Sequence, residues 1–525
     1  MCSINGIIVK DDDDDPSSCK KKILEYLING MKILKHRGPD GSGLMFDDEV
    51  IYFKEFSDVN IPFGKSNRLG MGHNRLAIVG HASQPIPNED ESIWTICNGE
   101  IYNYYELMED LQNDHDFNTD TDSEIILHSY EEDILNELDG DYAYCLYDKN
   151  KNRIMLRRDV FGVKPLFYID RDKYFAFASE KKALWYLLME IDKMSFEEAY
   201  NYPISRLNPN SQLIYDLNEN EYEVEENIQK IRTDYFENNY HTNIDYETCK
   251  KELEEALWDS VSKRTRGIDR IGIIYSGGVD STLVAKMASE YCDVVLYTVG
   301  TEESEDIEYA EKASKDMGLK FRKKIVSPEE YEKYLLNVAY AIDELNLMKL
   351  AVGIPIYVAS EMAKEDGIKV VLSGQGADEL FGGYNRYGRI LAEKGKEELK
   401  KSLYNDVMNI YKVNLERDDH CTMANGVELR VPFLDKDVVE VGLSLPIEYK
   451  LNDNERKIIL RDVASNYIPN YIAYRPKKAA QYGSGSEKMI YAVARKYGYS
   501  KKRINEFFEN VLMKKMKDMH RFKGN

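Results

Sequence analysis

The sequence predicts an α/β protein of two main domains, with antiparallel sheets in the first and a parallel sheet in the second. Its 525 residues are too many for one hydrophobic core. Strand patterns outnumber helical patterns from residue 3 to about 200, without regular alternation, which favours stacked antiparallel sheets covered by helices. From about residue 270, strand and helix patterns alternate, which is typical of a parallel sheet with helices on both faces.

In the first part, apolar or alternating runs predict buried strands over 93–97, 142–146 and 153–156. Helical patterns lie at about 19–35, 103–112 and 123–131. The chain then becomes polar before a helical pattern from Thr248 to about Thr265. We therefore expect a first domain over 2–205, a strand-bearing linker over 206–246 and a second domain over 247–525.

The second part has the pattern of a nucleotide-binding domain. Its candidate strands are 271–275, 294–299 and 368–372, and its candidate helices are about 279–291, 306–317 and 354–366. Ligands of such sheets bind at the carboxyl ends of the strands. After about residue 385 the sequence is mainly helical, which predicts a helical extension.

Composition narrows the class of protein. A net charge of −23 disfavours nucleic acid as a partner. No apolar run is long enough to span a membrane, and the N-terminus lacks signal-peptide features, so we expect a cytoplasmic protein. Seven scattered cysteines without C-x-x-C spacing argue against a disulfide framework and a zinc site. The acidic run Asp11–Asp15 predicts a solvated surface loop.

Cys2 follows the initiator methionine, whose removal would leave a thiol and a free α-amine on one residue. An α-amine has a pKa of about 7.7–8.0, so it can accept the thiol proton near neutral pH. By itself, a cysteine at position 2 is only weak evidence that this residue is a nucleophile. Four downstream motifs strengthen it: His36–Asp40, His73–Val79, Asn98–Asn103 and Thr121–Glu124.

Together with Cys2, these motifs resemble the glutaminase domain of the N-terminal nucleophile (Ntn) amidotransferases, an α-β-β-α sandwich of Ntn hydrolase type. The resemblance implies that Cys2 attacks the glutamine amide and that Asn98 and the Gly99 N–H form the oxyanion hole. Arg75 would bind the α-carboxylate, and Asp122, with Glu100 nearby, the α-ammonium. The implied glutamine-binding residues are Arg75, Leu76, Ala77, Ile78, Val79, Asn98, Gly99, Glu100 and Asp122. Asp120 departs from the pattern, because family members often carry glycine there.

Two glycine-rich turns follow strands of the second part. Ser276–Ser281 would aim backbone N–H groups and a helix N-terminus at an anion, and Asp280 offers a ligand for Mg²⁺. The turn is neither a Walker A loop nor a G-x-G-x-x-G motif. Ser373–Glu379 is a similar turn after another strand, and it carries Asp378.

The first turn resembles the pyrophosphate loop of ATP pyrophosphatases, which activate a substrate by adenylation. The resemblance implies Asp280 and Asp378 as Mg²⁺ ligands. A late lysine would contact the phosphates of ATP, here Lys477 or its neighbour Lys478. The implied ATP-binding residues are Ile274, Ser276, Gly277, Gly278, Asp280, Ser281, Val299, Ser373, Gly374 and Lys477.

The two parts together resemble the glutamine-hydrolysing asparagine synthetases over nearly the whole chain. The resemblance implies glutamine, aspartate and ATP as substrates, and asparagine, glutamate, AMP and pyrophosphate as products. Gln375 stands where the family commonly carries a glutamate base, and an amide cannot replace that base. Glu379 could substitute, Gln375 could only position the nucleophile, or the acceptor could differ.

Two other functions stay open: a relative that amidates another carboxylate, and a silent sensor of glutamine and ATP. The motifs do not determine the oligomeric state, for which a homodimer is the candidate.

Overall fold

The structure is a computed structural model that describes residues 2–10, 18–46, 49–59, 68–231, 244–302, 304–476 and 485–524. The acidic run Asp11–Asp15 and the lysines at 477 and 478 lie outside these ranges. The strands are β1 (Cys2–Val9), β2 (Gly41–Phe46), β3 (Glu49–Phe53), β4 (Leu69–Arg75), β5 (Ile86–Pro87), β6 (Ile93–Ile101), β7 (Gly140–Asp148), β8 (Arg153–Arg158), β9 (Phe167–Asp170), β10 (Tyr174–Ala178), β11 (Ser205–Arg206), β12 (Ser211–Asp216), β13 (Glu221–Glu226), β14 (Arg270–Ile274), β15 (Asp293–Gly300), β16 (Lys320–Ile325), β17 (Val370–Leu372) and β18 (Glu428–Arg430).

The α-helices lie between and after these strands. They are α1 (Ser18–Ile33), α2 (Tyr104–Leu111), α3 (Ile125–Glu131), α4 (Lys181–Glu190), α5 (Phe196–Asn201), α6 (Tyr246–Thr265), α7 (Val279–Ala288), α8 (Glu305–Asp316), α9 (Pro328–Ala341), α10 (Leu347–Glu365), α11 (Ala377–Phe381), α12 (Asn385–Lys394), α13 (Lys396–Met408), α14 (Glu416–Met423), α15 (Lys436–Ser444), α16 (Ile447–Lys450), α17 (Ile458–Ala464), α18 (Asn470–Ala473), α19 (Ser486–Lys496), α20 (Ile504–Phe507) and α21 (Met513–Gly524). None of the helices in the described ranges is long and apolar enough to cross a membrane.

Two antiparallel sheets form the N-terminal part. One has the order β11-β9-β10-β1-β4-β2-β3, and the other the order β13-β12-β8-β7-β6-β5. Because side chains alternate along a strand, Ile4 and Ile8 of β1 face the core between the sheets, whereas Ile7 and Val9 pack under α1 and α4. Helices α2 and α3 cover the second sheet. The predicted α-β-β-α sandwich is confirmed.

The C-terminal part contains a parallel sheet with the order β16-β15-β14-β17-β18. Its strands β14, β15, β17 and β18 are mostly buried under helices, which include α7, α8 and α10, whereas the edge strand β16 is more exposed, and helices dominate after β17. The predicted α/β domain with a helical extension is therefore confirmed. Within the stretch suggested as a linker, β12 and β13 extend the second antiparallel sheet.

Candidate functional site

Cys2 is the first residue of β1, and its side chain is almost completely buried. The strand register places it directly opposite Arg75, the last residue of β4. The Arg37 guanidinium donates a hydrogen bond of 3.1 Å to the Cys2 carbonyl oxygen and one of 2.8 Å to Glu180. Burial raises the pKa of the Cys2 thiol, so this thiol needs a base to react as a thiolate.

The Asn98 side chain approaches Cys2 from the second sheet. Its Oδ1 accepts a hydrogen bond of 3.1 Å from the Cys2 backbone N–H, which orients the amide. Its Nδ2 is buried and has no hydrogen-bond partner among the described residues. Such an unsatisfied donor is costly in a folded protein, and here it belongs to a side chain that contacts Cys2, the predicted nucleophile, as expected of a predicted oxyanion-hole donor. The neighbouring Gly99 packs tightly on β7, since a Cβ there would lie 2.3 Å from the Asp141 carbonyl oxygen.

The segment after Arg75 is held by the C-terminal half of the chain. Asp40 Oδ2 accepts a hydrogen bond of 2.8 Å from the Ala77 N–H. The Lys369 ammonium donates to the same Asp40 oxygen at 2.8 Å and to the Ala77 carbonyl oxygen at 2.9 Å. The other predicted glutamine-binding residues of this segment are Leu76, which is buried, and Ile78 and Val79, which are half-buried.

Asp122 is buried in the turn before α3. Its Oδ2 accepts the Ile101 N–H at 2.7 Å, and its Oδ1 accepts the Thr121 hydroxyl at 3.2 Å. Burial raises the pKa of this carboxyl despite both hydrogen bonds, so an ammonium group bound beside it would stabilise the charged form. Asp120, where the sequence departs from the family pattern, is exposed and pairs with His81 at 2.6 Å instead.

A second candidate site lies at the carboxyl ends of the parallel strands. The loop Ser276–Gly278 joins β14 to α7. Gly277 has a φ of 69°, a left-handed conformation that favours glycine. The Ser276 and Ser281 hydroxyl oxygens lie 3.3 Å apart at the start of the helix. Helical N–H groups and hydroxyls placed in this way can bind a phosphate. The predicted Ile274 is the last residue of β14, and Val299 is the last but one of the neighbouring strand β15.

Asp280 and Asp378 converge at this site because β14 and β17 are adjacent parallel strands. The loop after β17 passes so close that a Cβ on Gly374 would lie 2.7 Å from the Asp280 Cβ. The Lys457 ammonium bridges the two carboxylates, at 2.7 Å from Asp280 Oδ2 and 2.6 Å from Asp378 Oδ1. Burial lowers the pKa of Lys457, but the carboxylates raise it more, so the net shift is upward.

A Mg²⁺ ion fits this pair of carboxylates. Asp280 Oδ1 is buried and has no hydrogen-bond partner in the part of the chain that the structure describes. Carboxylate oxygens are the protein ligands that Mg²⁺ prefers, usually one or two together with phosphate oxygens. The sequence analysis did not single out Lys457, and its prediction of Lys477 or Lys478 as the phosphate-contacting lysine lies outside the described residues. The predicted Ser373 follows β17 in the same loop and is half-buried.

The structure also locates Gln375, which stands where the family commonly carries a glutamate base, and Glu379, the carboxylate considered as a substitute for that base. Gln375 is half-buried in the loop after β17. Glu379 is buried in α11, where its Oε1 accepts hydrogen bonds from the Tyr384 hydroxyl at 2.8 Å and the Asn414 amide at 3.2 Å. These contacts hold the Glu379 carboxylate in a fixed position near Asp378.

Buried ion pairs join the two sites across the interface between the halves of the chain. The Arg430 guanidinium, on β18, donates to Glu100 at 3.1 Å and to Glu428 at 2.6 Å. Arg37, which holds the Cys2 carbonyl, also pairs with Asp419 of α14 at 2.8 Å. The sequence did not assign these roles to Arg37, which lies in the His36–Asp40 motif, or to Arg430, because their interface partners Asp419 and Glu100 are more than 300 positions away.

Comparisons with known proteins agree with this two-site architecture. A family model described as a glutamine amidotransferase domain matches residues 58–236, and one described as asparagine synthase matches 252–395 and 391–522. A relative from Methanocaldococcus jannaschii, provisionally named a glutamine-hydrolysing asparagine synthetase, is 60% identical over 98% of this chain and 99% of its own length. Asparagine synthetase B of Escherichia coli is 28% identical over 92% of this chain and 83% of its own length. A solved glutamine phosphoribosylpyrophosphate amidotransferase from Bacillus subtilis, 18% identical, covers 57% of this chain and 67% of its own with a TM-score of 0.32.

Proposed function

Because the chain belongs to the glutamine-hydrolysing asparagine synthetase family, we propose that it makes L-asparagine from L-aspartate, ATP and ammonia taken from glutamine. The products are asparagine, glutamate, AMP and pyrophosphate. The observation that carries the proposal is that one chain joins a buried Cys2–Asn98 pair to a second site where Asp280 and Asp378 converge.

Glutamine hydrolysis is assigned to the first site. After removal of the initiator methionine, the freed α-amine of Cys2 takes the thiol proton, and the sulfur attacks the glutamine side-chain carbonyl carbon. The Asn98 Nδ2, which has no partner among the described residues, and the Gly99 N–H stabilise the resulting oxyanion. The carbon–nitrogen bond then breaks, ammonia leaves with the returned proton, and water hydrolyses the thioester to glutamate. Arg75 and Asp122 orient the substrate through its carboxylate and ammonium groups.

Adenylation is assigned to the second site. A β-carboxylate oxygen of aspartate attacks the α-phosphorus of ATP, the bond to the β-phosphate breaks, and β-aspartyl-AMP and pyrophosphate form. Ammonia crosses the interface between the two halves, attacks the acyl carbon, and AMP leaves. The loop Ser276–Gly278 and the start of α7 bind phosphate, and Lys457 supplies a buried positive charge beside it. Mg²⁺ held by Asp280 and Asp378 would neutralise charge on the phosphates as a Lewis acid.

Product analysis with glutamine, aspartate and MgATP tests the proposal. We expect asparagine, glutamate, AMP and pyrophosphate in equal amounts. ADP and orthophosphate in place of AMP and pyrophosphate would refute the assignment of the second site. Glutamate release without asparagine would refute aspartate as the acceptor. The test of aspartate as the acceptor is important because Gln375 stands where the family commonly carries its glutamate base.

A further inference from the structure

Four side chains of the N-terminal part converge outside the two candidate sites described above. They form the His–Glu cluster, which consists of Glu89, His115, His128 and Glu131. Glu89 lies in the turn between β5 and β6, and His115 follows α2. His128 and Glu131 are three positions apart on α3, so they share one face of that helix. One potential ligand atom from each of the four residues lies within 4.8 Å of the others.

The atoms that converge are nitrogen and oxygen atoms suited to a transition metal. The His128 Nδ1 lies 3.2 Å from Glu131 Oε2 and 3.8 Å from Glu89 Oε1. The His115 Nδ1 lies 3.5 Å from the same Glu89 oxygen and 3.6 Å from the same Glu131 oxygen. A tetrahedral Zn²⁺ with bonds of about 2.0–2.1 Å places its ligand atoms about 3.3 Å apart. The four His–Glu distances therefore match the edges of a tetrahedral site to within about half an ångström, and the remaining two distances are no more than 4.8 Å.

We propose that the His–Glu cluster binds one divalent transition-metal ion, with Zn²⁺ as the expected occupant. Two imidazoles and two carboxylates suit Zn²⁺, whereas Mg²⁺ and Ca²⁺ prefer oxygen ligands alone. Glu89 and Glu131 are partly exposed, so the ion can enter from solution. The cysteine spacing could not reveal this site, because it uses no cysteine.

The surroundings of the ligands support the proposal. Metal-bound histidines usually donate their second ring N–H to a carboxylate. The His115 Nε2 lies 3.0 Å from Glu132 Oε1, which is this arrangement. The His128 Nε2 is buried and has no hydrogen-bond partner among the residues that the structure describes. The carboxylate that faces it is Glu124, at 3.9 Å. Glu131 is also oriented, since its Oε1 accepts the Asn88 side-chain amide at 2.8 Å.

The location suggests a structural rather than a catalytic metal. Four protein ligands leave no open position in a tetrahedral ion, which is typical of structural zinc. The ion would tie the turn at Glu89 and the segment at His115 to α3. Asp122, a predicted glutamine-binding residue, lies in the turn before this helix, so the metal would stiffen the base of that turn. The proposed metal site does not depend on the proposed function, because it would stand even if the acceptor were not aspartate.

The test is Zn²⁺ binding to the full-length, chelator-treated protein in excess Mg²⁺, measured by competition with a chromophoric chelator. We expect one equivalent of tight Zn²⁺ that His115→Ala and Glu89→Gln each remove. Glu132→Gln should weaken binding about 10–100-fold, because it removes only the partner of His115. His81→Ala is the matched control, since His81 also pairs with a carboxylate but lies outside the cluster. It should bind Zn²⁺ as the unaltered chain does.

Co²⁺ provides a second readout. Substitution with Co²⁺ should give the intense visible bands of a tetrahedral complex, and His115→Ala should abolish them. His115 and Glu89 are partly exposed, so folding of these variants is checked by circular dichroism. Folded variants that bind as much Zn²⁺ as the unaltered chain would overturn the proposal. A Co²⁺ spectrum unaffected by both substitutions would do so as well.

Discussion

The Arg430 guanidinium donates a hydrogen bond of 3.1 Å to Glu100, and this contact joins the two halves of the molecule. Arg430 ends β18, next to the strand that leads to Asp378, whereas Glu100 follows the predicted oxyanion-hole residues on β6. Burial raises the pKa of Glu100 to about 8, although Arg430 opposes this shift. Burial also raises the pKa of Glu428, but the attraction of Arg430 and other positive charges lowers it more. The net shift is downward, so Glu428 keeps its charge.

Replacing Arg430 with methionine should destabilise the protein and uncouple its two reactions. The substitution leaves Glu428 buried without its main counter-charge, which typically costs about 3–5 kcal/mol. We expect a lower melting temperature and more glutamate released per asparagine formed. The matched control is Arg386→Met on α12, where the arginine pairs with Asp406 at 2.9 Å on a half-exposed surface. Tight one-to-one coupling in a folded Arg430→Met protein would contradict this role.

Asn98→Ala should reduce glutaminase turnover by about 10²–10³, the usual loss for one oxyanion-hole donor. Asn98→Ala removes one hydrogen bond, which Oδ1 accepts from the Cys2 N–H, and an Nδ2 that has no partner among the described residues, so we expect a loss of stability of only about 0.5–1.5 kcal/mol. Synthesis from ammonium salts should be unchanged, because the second site is separate. Steady-state assays with glutamine and with ammonium chloride measure both values. An equal loss in the two assays would indicate a structural role instead.

Cys2→Ala should abolish the use of glutamine and preserve synthesis from ammonium salts. The mature protein should begin at Cys2, because its α-amine is the proposed base. Intact-mass spectrometry and the two synthesis assays check these expectations. Cys292→Ala is the control, since Cys292 is a half-buried cysteine of the other half. Retention of Met1 on fully active enzyme would refute the amine mechanism.

The sequence predicted residues that belong to compact local motifs better than those that depend on distant contacts. Asn98 and Asp280 lie in short strings whose strand and glycine context is visible locally. Lys457 lies in a polar run, 177 positions from Asp280, and nothing in that run distinguishes it from a surface lysine. Its two carboxylate partners follow β14 and β17, which are brought together only by the pairing of these strands. The His–Glu cluster was also missed, because its four ligands come from three separate elements of the chain.

Asp280→Asn and Asp378→Asn should each abolish adenylation and leave glutaminase activity in place. Each substitution removes a negative charge from the proposed Mg²⁺ site. Aspartate-dependent exchange of labelled pyrophosphate into ATP measures this step directly. Lys457→Met should also abolish exchange, because it leaves two converging carboxylates without their bridging charge. Asp462→Asn, on α17 in the same half, is the control and should exchange normally. Normal pyrophosphate exchange in both Asp280→Asn and Asp378→Asn would refute the assignment of this site.

Lys450→Met should stabilise the protein, and the gain should shrink as the pH rises. Lys450 ends α16 and is 1% exposed. Burial, with a smaller contribution from Lys400, lowers the pKa of its ammonium group to about 7.

An unfolded lysine has a pKa of about 10.4, so between about pH 7 and 10.4 the folded state binds fewer protons than the unfolded state. The free energy of unfolding therefore rises with pH across this window, and the cost of the buried charge is fully present below it. At pH 7 we expect a gain of about 1–3 kcal/mol for Lys450→Met, seen as a higher melting temperature, and little difference near pH 10. Lys401→Met removes an equal charge from the exposed face of α13 and should change little. A pH-independent difference between Lys450→Met and the unaltered chain would show that Lys450 is not held with a lowered pKa.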